Sequence, residues 1–335
     1  MNIEETLKSL CAIPSVSGGE KAAHDTLIKL LSEYTDNVKT DAFGNVTCFI
    51  GDDSNKPVLL LDAHIDRIGM IVTFIDDKGF LKVSGIGIDS RTLPAQNVTV
   101  YGKRAVKGIV STLPPHVADK NDKAPKLEDI AIDIGMNKEQ AEEVISLGDL
   151  VVEEGRFSKL AGTRVSTPAS DDMAGVTAIL YALDLLKNEK DLPFRIAVQL
   201  VAQEEVGCRG AAVSTFNMDA DYAIAVDVSF AASKGVPPEQ SGKLGKGPMI
   251  GISPTLNRDM ADKLIKAAKE KNIPYQAEVM RGRTGTDADN ITLTKGGVKT
   301  ALISIPQRYM HTPCEILDIE DIRHTGELLA EYIKG

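Results

Sequence analysis

The run Pro57-Val58-Leu59-Leu60-Leu61-Asp62-Ala63-His64-Ile65-Asp66 constrains the chain more than any other stretch. Its apolar core, Val58 to Leu61, is continuous rather than alternating. A half-exposed strand shows period-two alternation, whereas an unbroken apolar run belongs to a strand buried on both faces, as in an α/β sheet covered by helices. His64 follows that core directly, with Asp66 two residues later. Open α/β sheets place their ligand sites beyond the carboxyl ends of strands. Residues i and i+2 of an extended chain share a face, so Asp66 can orient the His64 ring as a supporting carboxylate. A buried structural histidine with a hydrogen-bonded aspartate reads equally well from this segment alone.

The surrounding pattern extends the α/β reading. Glu4 to Ala12 and Glu20 to Tyr34 are amphipathic helical stretches, the second placing Ala22, Leu27, Leu30 and Leu31 near one face. Pro14 to Gly19 reads as the turn between them, and Asn45 to Ile50 as a strand. From Met70 to Thr163 the texture changes to short β-rich runs: Ile71–Ile75, Gly79–Val83, Asn97–Tyr101, Val106–Ser111 and Asp149–Glu153. A charged, proline-containing stretch, Pro114 to Lys126, separates the last two. Short strands without long helices predict a small β-barrel or sandwich. After Ser166 helices and strands alternate again: Asp172 to Leu186 helical, Phe194–Val201 and Tyr222–Val228 strands, Asn257–Lys271 helical, Val298–Ile305 a strand, Ile319–Ile333 a closing helix. The expected organisation is one discontinuous α/β domain, 1–69 plus 164–335, interrupted by a β-rich insert, 70–163.

Composition narrows function by exclusion. The 335 residues carry 38 Lys plus Arg against 48 Asp plus Glu, a formal charge of −10, with 4% aromatics and no Trp. Nucleic-acid binding needs a basic footprint and often stacking aromatics, so it is disfavoured. No apolar run approaches the roughly 20 residues of a membrane span. The acidic start, Met1 to Glu5, does not read as a signal peptide. The four cysteines, Cys11, Cys48, Cys208 and Cys314, lack CxxC spacing. A reducing cytoplasm is therefore the expected location. HExxH, GxSxG and the P-loop pattern are all missing from the sequence.

What remains is a series of acidic and histidine residues at strand ends. Asp171-Asp172 opens a helix, where N-capping is the ordinary role. Gln203-Glu204-Glu205-Val206-Gly207 leaves the strand Phe194–Val201; a solvated acidic turn would look the same. Asp227 sits at the end of an apolar strand, where a carboxylate is costly unless paired or bound. His311 lies in the turn after the strand Val298–Ile305. Jointly, His64, Asp171, Glu205, Asp227 and His311 offer two imidazoles and three carboxylates, a suitable set for two divalent ions such as Zn, Co or Mn with one carboxylate bridging. A glycosidase also uses two carboxylates, but adjacent Glu204 and Glu205 in extended chain point apart rather than flanking one bond. His24, His116 and His324 read as structural or surface residues.

The runs Asp62 to Gly69, Ser170-Asp171-Asp172, Gln203 to Ala211, Val226-Asp227-Val228, Gly285-Thr286-Asp287-Ala288 and Arg308 to Pro313, with Pro14 to Gly18 before them, resemble the tetrahedral (TET), or glutamyl/deblocking, aminopeptidase family of dinuclear metallopeptidases. The resemblance covers essentially the whole chain. It implies a phosphorylase/hydrolase-like α/β/α sandwich catalytic domain with an inserted small PDZ-like β-barrel for dimerisation. It implies further that Asp171 bridges two metals and is followed by a cis peptide, that His64 and Asp227 complete one metal site, and that Glu205 and His311 complete the other. Glu204 would be the general base and Asp66 would steady His64. The activity implied is removal of N-terminal residues from peptides through a water activated by two metal ions, Zn or Co foremost and Mn as a third option. The assembly implied is a homo-oligomer, dimer to dodecamer. A related deacylase or carboxypeptidase would use much the same ligands, and an inactive binding protein of the same fold is the third alternative. Two residues depart from the family pattern: Arg67 where an acidic residue is common, and Met173 where Arg is common. Arg281 and Arg283 are candidates for a pocket that receives an acidic side chain, though surface arginines in a glycine-rich loop read equally well.

Overall fold

The computed structural model describes residues 1–51, 55–114, 116–117 and 125–335. Most of the expected charged stretch Pro114 to Lys126 lies outside the described residues. An eight-stranded sheet forms the centre of the molecule, in the order Val38–Thr40, Val46–Ile50, Arg195–Val201, Val58–His64, Tyr222–Phe230, Lys299–Gln307, Met249–Ile252, Gln276–Val279. The four middle strands run parallel, with Ala197 opposite Leu60, Ile224 opposite Leu61 and Val226 opposite Ile303. Their C-terminal ends therefore lie along one edge.

Alternate residues of the middle strands feed two separate cores. Leu59, Leu61, Val198, Ile224 and Ile303 pack with Ile3–Cys11, Lys21–Leu31, Ser170–Leu186, Arg258–Lys271 and Ile319–Lys334. Leu60, Ala197, Ala223, Ala225 and Leu302 pack on the other side with Ala211, Met218, Ala288 and Ile291. Helices on both faces explain why the Val58 to Leu61 run has no polar member. The second helix turns a slightly different face inward from the one expected: Ala23, Leu27 and Leu31 are buried, while Ala22 is exposed and Leu30 only half-buried. Its buried stripe is i, i+4, i+8, which Ala23 fits and Ala22 does not.

The β-rich region closes into a six-stranded barrel, ordered Gly69–Ile75, Leu81–Ile86, Ile132–Asp133, Ala105–Val110, Asn97–Tyr101, Leu150–Glu153. Met70, Val72, Leu81, Val100, Val106, Val110, Ile132 and Val151 fill it. The strand Ala105–Val110 alternates strictly between exposed and buried positions, the pattern of a strand with one face to a core. Closure leaves the small sheet without free edges.

A third, three-stranded sheet decides the geometry of the site. Arg164–Thr167 pairs antiparallel with Glu315–Asp318, setting Thr167 opposite Glu315. The first strand leads into the Asp171 turn and the second follows the His311 loop, so their pairing draws two segments about 140 residues apart together. Among the described residues, no helix is long and apolar enough to cross a membrane.

Candidate metal centre

Every candidate sits at the C-terminal edge of the parallel strands or in the adjoining loops. His64 ends the strand Val58–His64, and Asp227 lies within Tyr222–Phe230 rather than at its end. Glu204 and Glu205 occupy the turn after Arg195–Val201, and His311 the loop after Lys299–Gln307. Ser170–Leu186 is helical only from Met173 on, because Asp171 and Asp172 hold extended and bridging angles and the peptide between them is cis. Asp171 is therefore not a simple helix cap. Its carboxylate turns into the cleft.

The side chains converge in two groups that share Asp171: His64, Asp171 and Asp227, and Asp171, Glu205 and His311. Asp171 gives one oxygen to each. His64 Nε2 lies 2.9 Å from Oδ1, and His311 Nε2 lies 3.3 Å from Oδ2. His64 Nε2 is 3.9 Å from Asp227 Oδ1, and His311 Nε2 is 3.2 Å from Glu205 Oε2. Glu205 Oε1 and Asp172 Oδ2 are buried without a hydrogen-bond partner. Burying an ionised carboxylate without compensation is expensive, and a divalent cation in each group would supply compensation to Glu205 and its neighbours. One imidazole and two carboxylates per group form a donor set suited to Zn, Co or Mn.

The electrostatics agree. Burial pushes the Asp227 and Asp172 carboxyls well above the ordinary range, and lifts Glu205 to about 7. Burial works against a charged His311, yet Asp171 and Glu205 outweigh it and raise its pKa to about 11. His64 shifts upward in the same way, with Asp171 and Asp66 overcoming burial. Both shifts favour the charged ring, as expected where carboxylates surround an imidazole without another cation.

Asp66 does more than expected at one point and less at another. Its backbone carbonyl, 3.0 Å from Nδ1, is the nearer partner of the His64 ring, with the carboxylate at 3.6 Å. The carboxylate instead accepts the backbone N–H groups of Glu204 at 2.9 Å and Glu205 at 3.2 Å, and the Ser17 hydroxyl at 2.6 Å. Burial raises an aspartate pKa, but here the hydrogen bonds from His64, Ser17 and Glu204 win and hold Asp66 low. Asp66 anchors the two glutamates as well as the histidine.

Glu315 has no role in the sequence reading above, yet it links the ligand-bearing loops. Its Oε1 accepts the N–H of His311 at 3.0 Å, and its Oε2 accepts the Ser170 hydroxyl at 2.9 Å and the N–H of Asp171 at 3.3 Å. A lone glutamate opening the run Ile316-Leu317 carries no signal, since only the pairing with Thr167 places it under the site. Arg67 is buried and faces Glu315 and Glu153, so this departure from the family pattern supports the floor of the site. Met173 is fully buried in the main core.

The cleft above the carboxylates has a volume of about 420 Å³ and is lined by Glu204, Glu205, Asp227, Arg283 and His311 among others. A neighbouring hollow of about 390 Å³ shares Ser229, Phe230 and Arg283 and adds Arg281. Arg283 is 85% exposed and reaches Asp289 at 3.4 Å. The barrel loop Gly87–Thr92 borders the cleft from the far side, beside Met310–Thr312. Gly87 has φ +67°, and a Cβ there would strike Ile68 and approach Glu205 Oε2 at 3.3 Å, so the backbone passes where no side chain fits. His24, His116 and His324 lie away from the site: His24 bonds the Gly44 carbonyl, His116 is exposed and His324 contacts Arg323.

Fold and site together define an α/β protein with a cation-binding donor set at the C-terminal edge of its parallel strands. The sequence model for M42 glutamyl aminopeptidase matches residues 44–328, and the chain belongs to that family, one of peptide-hydrolysing exopeptidases. It is 34% identical to the lysyl aminopeptidase of Pyrococcus furiosus, across 97% of this chain and 94% of that protein. Among solved structures, an aminopeptidase from the archaeon Desulfurococcus kamchatkensis superposes with a TM-score of 0.93 at 33% identity, covering 99% of this chain and 94% of that one. The TET1 peptidase of Pyrococcus horikoshii, described as assembling into a tetrahedron or a large octahedral shell, superposes with a TM-score of 0.88 at 32% identity, covering 99% of each.

Proposed function

We propose that this chain is a metal-dependent aminopeptidase that removes N-terminal residues from peptides. The observation carrying this reading is the Asp171 carboxylate, which presents one oxygen to each of two histidine–carboxylate groups at the floor of an open cleft. His64, Asp171 and Asp227 would hold one divalent ion and Asp171, Glu205 and His311 a second, with Zn or Co preferred and Mn as an alternative. Such ions, when bound, polarise the scissile carbonyl and acidify water.

The chain's own residues supply the rest. Glu204 is the general base: its Oε1 is held by the Cys208 thiol at 3.1 Å, which leaves Oε2 to take the proton of the attacking water and return it to the leaving amine. Burial raises the Glu204 carboxyl, moving it toward the pH at which it works. Asp66 fixes the turn that aims Glu204 through two backbone N–H bonds. Arg281 and Arg283 are proposed to receive an acidic N-terminal side chain from the adjoining hollow.

Residues 70–163 form the inserted unit and 1–69 with 164–335 the catalytic one. The insert is proposed to mediate dimerisation within a homo-oligomer, as the assembly of the Pyrococcus horikoshii relative suggests. Cytoplasmic action on free peptides fits the four unpaired cysteines.

The test is metal analysis together with a panel of aminoacyl anilides, before and after chelation. Hydrolysis of free aminoacyl anilides, lost on chelation and restored by Zn, Co or Mn, is expected. Preference for N-acetylated substrates would make the protein a deacylase instead.

A further inference from the structure

Beside the two groups that share Asp171 lies a third. Ligating atoms of Glu204, Cys208 and Asp287 all come within 4.8 Å of one another. Glu204 and Cys208 line the open cleft, and Asp287 stands behind them, 2% exposed. Neither Asp287 oxygen has a hydrogen-bond partner. The contrast with Asp289, two residues on, is sharp: that carboxylate accepts the N–H groups of Thr284 and Gly285 and the Thr284 hydroxyl. Local structure therefore satisfies one aspartate of this loop and leaves the other empty-handed. A fully buried carboxylate with no partner demands a counter-charge or a ligand.

The cluster is held in place. Asn290 donates to the carbonyl of Cys208 at 2.7 Å and reaches that of Gly207 at 3.4 Å, tying the loop of Asp287 to the loop of Cys208. Cys208 Sγ already lies 3.1 Å from Glu204 Oε1. Ligands on one tetrahedral zinc, with Zn–S near 2.3 Å and Zn–O near 2.1 Å, sit about 3.5 Å apart, so modest side-chain adjustment closes the set. A thiolate with two carboxylates favours Zn or Cd over Mg or Mn.

We infer that Glu204, Cys208 and Asp287 form a third, inhibitory site for a thiophilic divalent cation, open to the cleft and separate from the two groups that share Asp171. Binding displaces the thiol proton to solvent. The inhibitory role rests on the reading of Glu204 as general base: a cation held there occupies the carboxylate that would accept the proton. The site is filled only when zinc exceeds what the other two groups take up.

The experiment uses the full-length protein loaded with Co and then titrated with Cd and, separately, with excess Zn. Bound metal is counted by mass spectrometry, and thiolate-to-cadmium charge-transfer absorption is followed in the ultraviolet. Wild type is expected to gain one thiophilic ion per chain beyond the first two, with that absorption, and to lose activity as the ion enters. In Cys208→Ala the extra ion and its absorption disappear, and half-inhibition needs zinc on the order of tenfold higher or more. Asp287→Asn, nearly isosteric, gives the same direction if the alanine variant folds poorly. Equal stoichiometry and absorption in wild type and both variants would overturn the site. A cadmium–thiolate signal that depends on Cys208, with no change in turnover, would overturn the inhibitory role while keeping the cation site. Fewer than two ions in the first two groups would sink the dinuclear reading, and the Cys208-dependent absorption would still judge the third site on its own.

Discussion

The two donor groups share Asp171 but are built differently. His64 and Asp227 come from neighbouring central strands, and with Asp171 all three side chains are buried. Glu205 and His311 come from loops, and the His311 side chain is 37% exposed. His311 and Tyr309 both adopt positive φ, a conformation that non-glycine residues hold only where neighbours enforce it; here the Glu315 hydrogen bond to His311 N–H and the Arg308–Ile316 bridge do so. One group is thus part of the core and the other is a tethered loop leaning on it. Removing a cation from the first would require disturbing packed strands, whereas release from the second would need only the loop to move. Two sites of similar chemistry can therefore differ in how fast they exchange.

The largest effect should come from the residue both groups share. Asp171→Ala is expected to empty both, with turnover falling roughly 10³-fold or more, since several kcal/mol of Lewis-acid assistance disappears. Retention of one ion per chain by mass spectrometry would show that the groups are independent. Glu204→Gln should lower kcat by about 10²–10⁴-fold while leaving two ions per chain; parallel loss of metal and activity would make Glu204 a ligand instead. For exchange, a chelator should strip wild type in two phases. His311→Ala should remove the fast phase and His64→Ala the slow one, with rates separated by on the order of tenfold. A single phase in wild type would erase the distinction between the sites.

The smallest effect concerns the metal-free protein. The His311 pKa is raised from 6.5 to about 11. A histidine raised on folding adds stability that is fully present below its unfolded value and lost as pH rises through the folded one. The melting temperature of chelated protein should therefore decline between about pH 6.5 and 11, by only about 1–2 °C because solvent screens the half-exposed ring. His311→Gln should flatten that slope.

Much of this was legible in the sequence. The apolar run Val58 to Leu61 identifies a two-sided strand, and His64, Glu205 and His311 fall at or after strand ends, whereas Asp227 lies within its strand. The β-rich texture from Met70 onward becomes the closed barrel. The missing parts are those that depend on pairing between distant segments. Glu315 acquires its position only when Arg164–Thr167 meets Glu315–Asp318. In sequence Asp66 pairs with His64 alone, because the glutamate turn that crosses its carboxylate is about 140 residues away. The helix Arg209–Met218 carries little periodic signal, because its sequence, RGAAVSTFNM, is rich in small residues and weakly amphipathic. The inward face of the second helix is set by the Ala23, Leu27, Leu31 spacing, one residue on from the face centred on Ala22.

The positions that meet at Asp171 emerge from the ribosome far apart in time. His64 precedes Asp171 by 107 residues, and His311 follows it by 140. A chain ending between residues 228 and 310 would hold His64, Asp171, Glu205 and Asp227 but lack the imidazole of the second group.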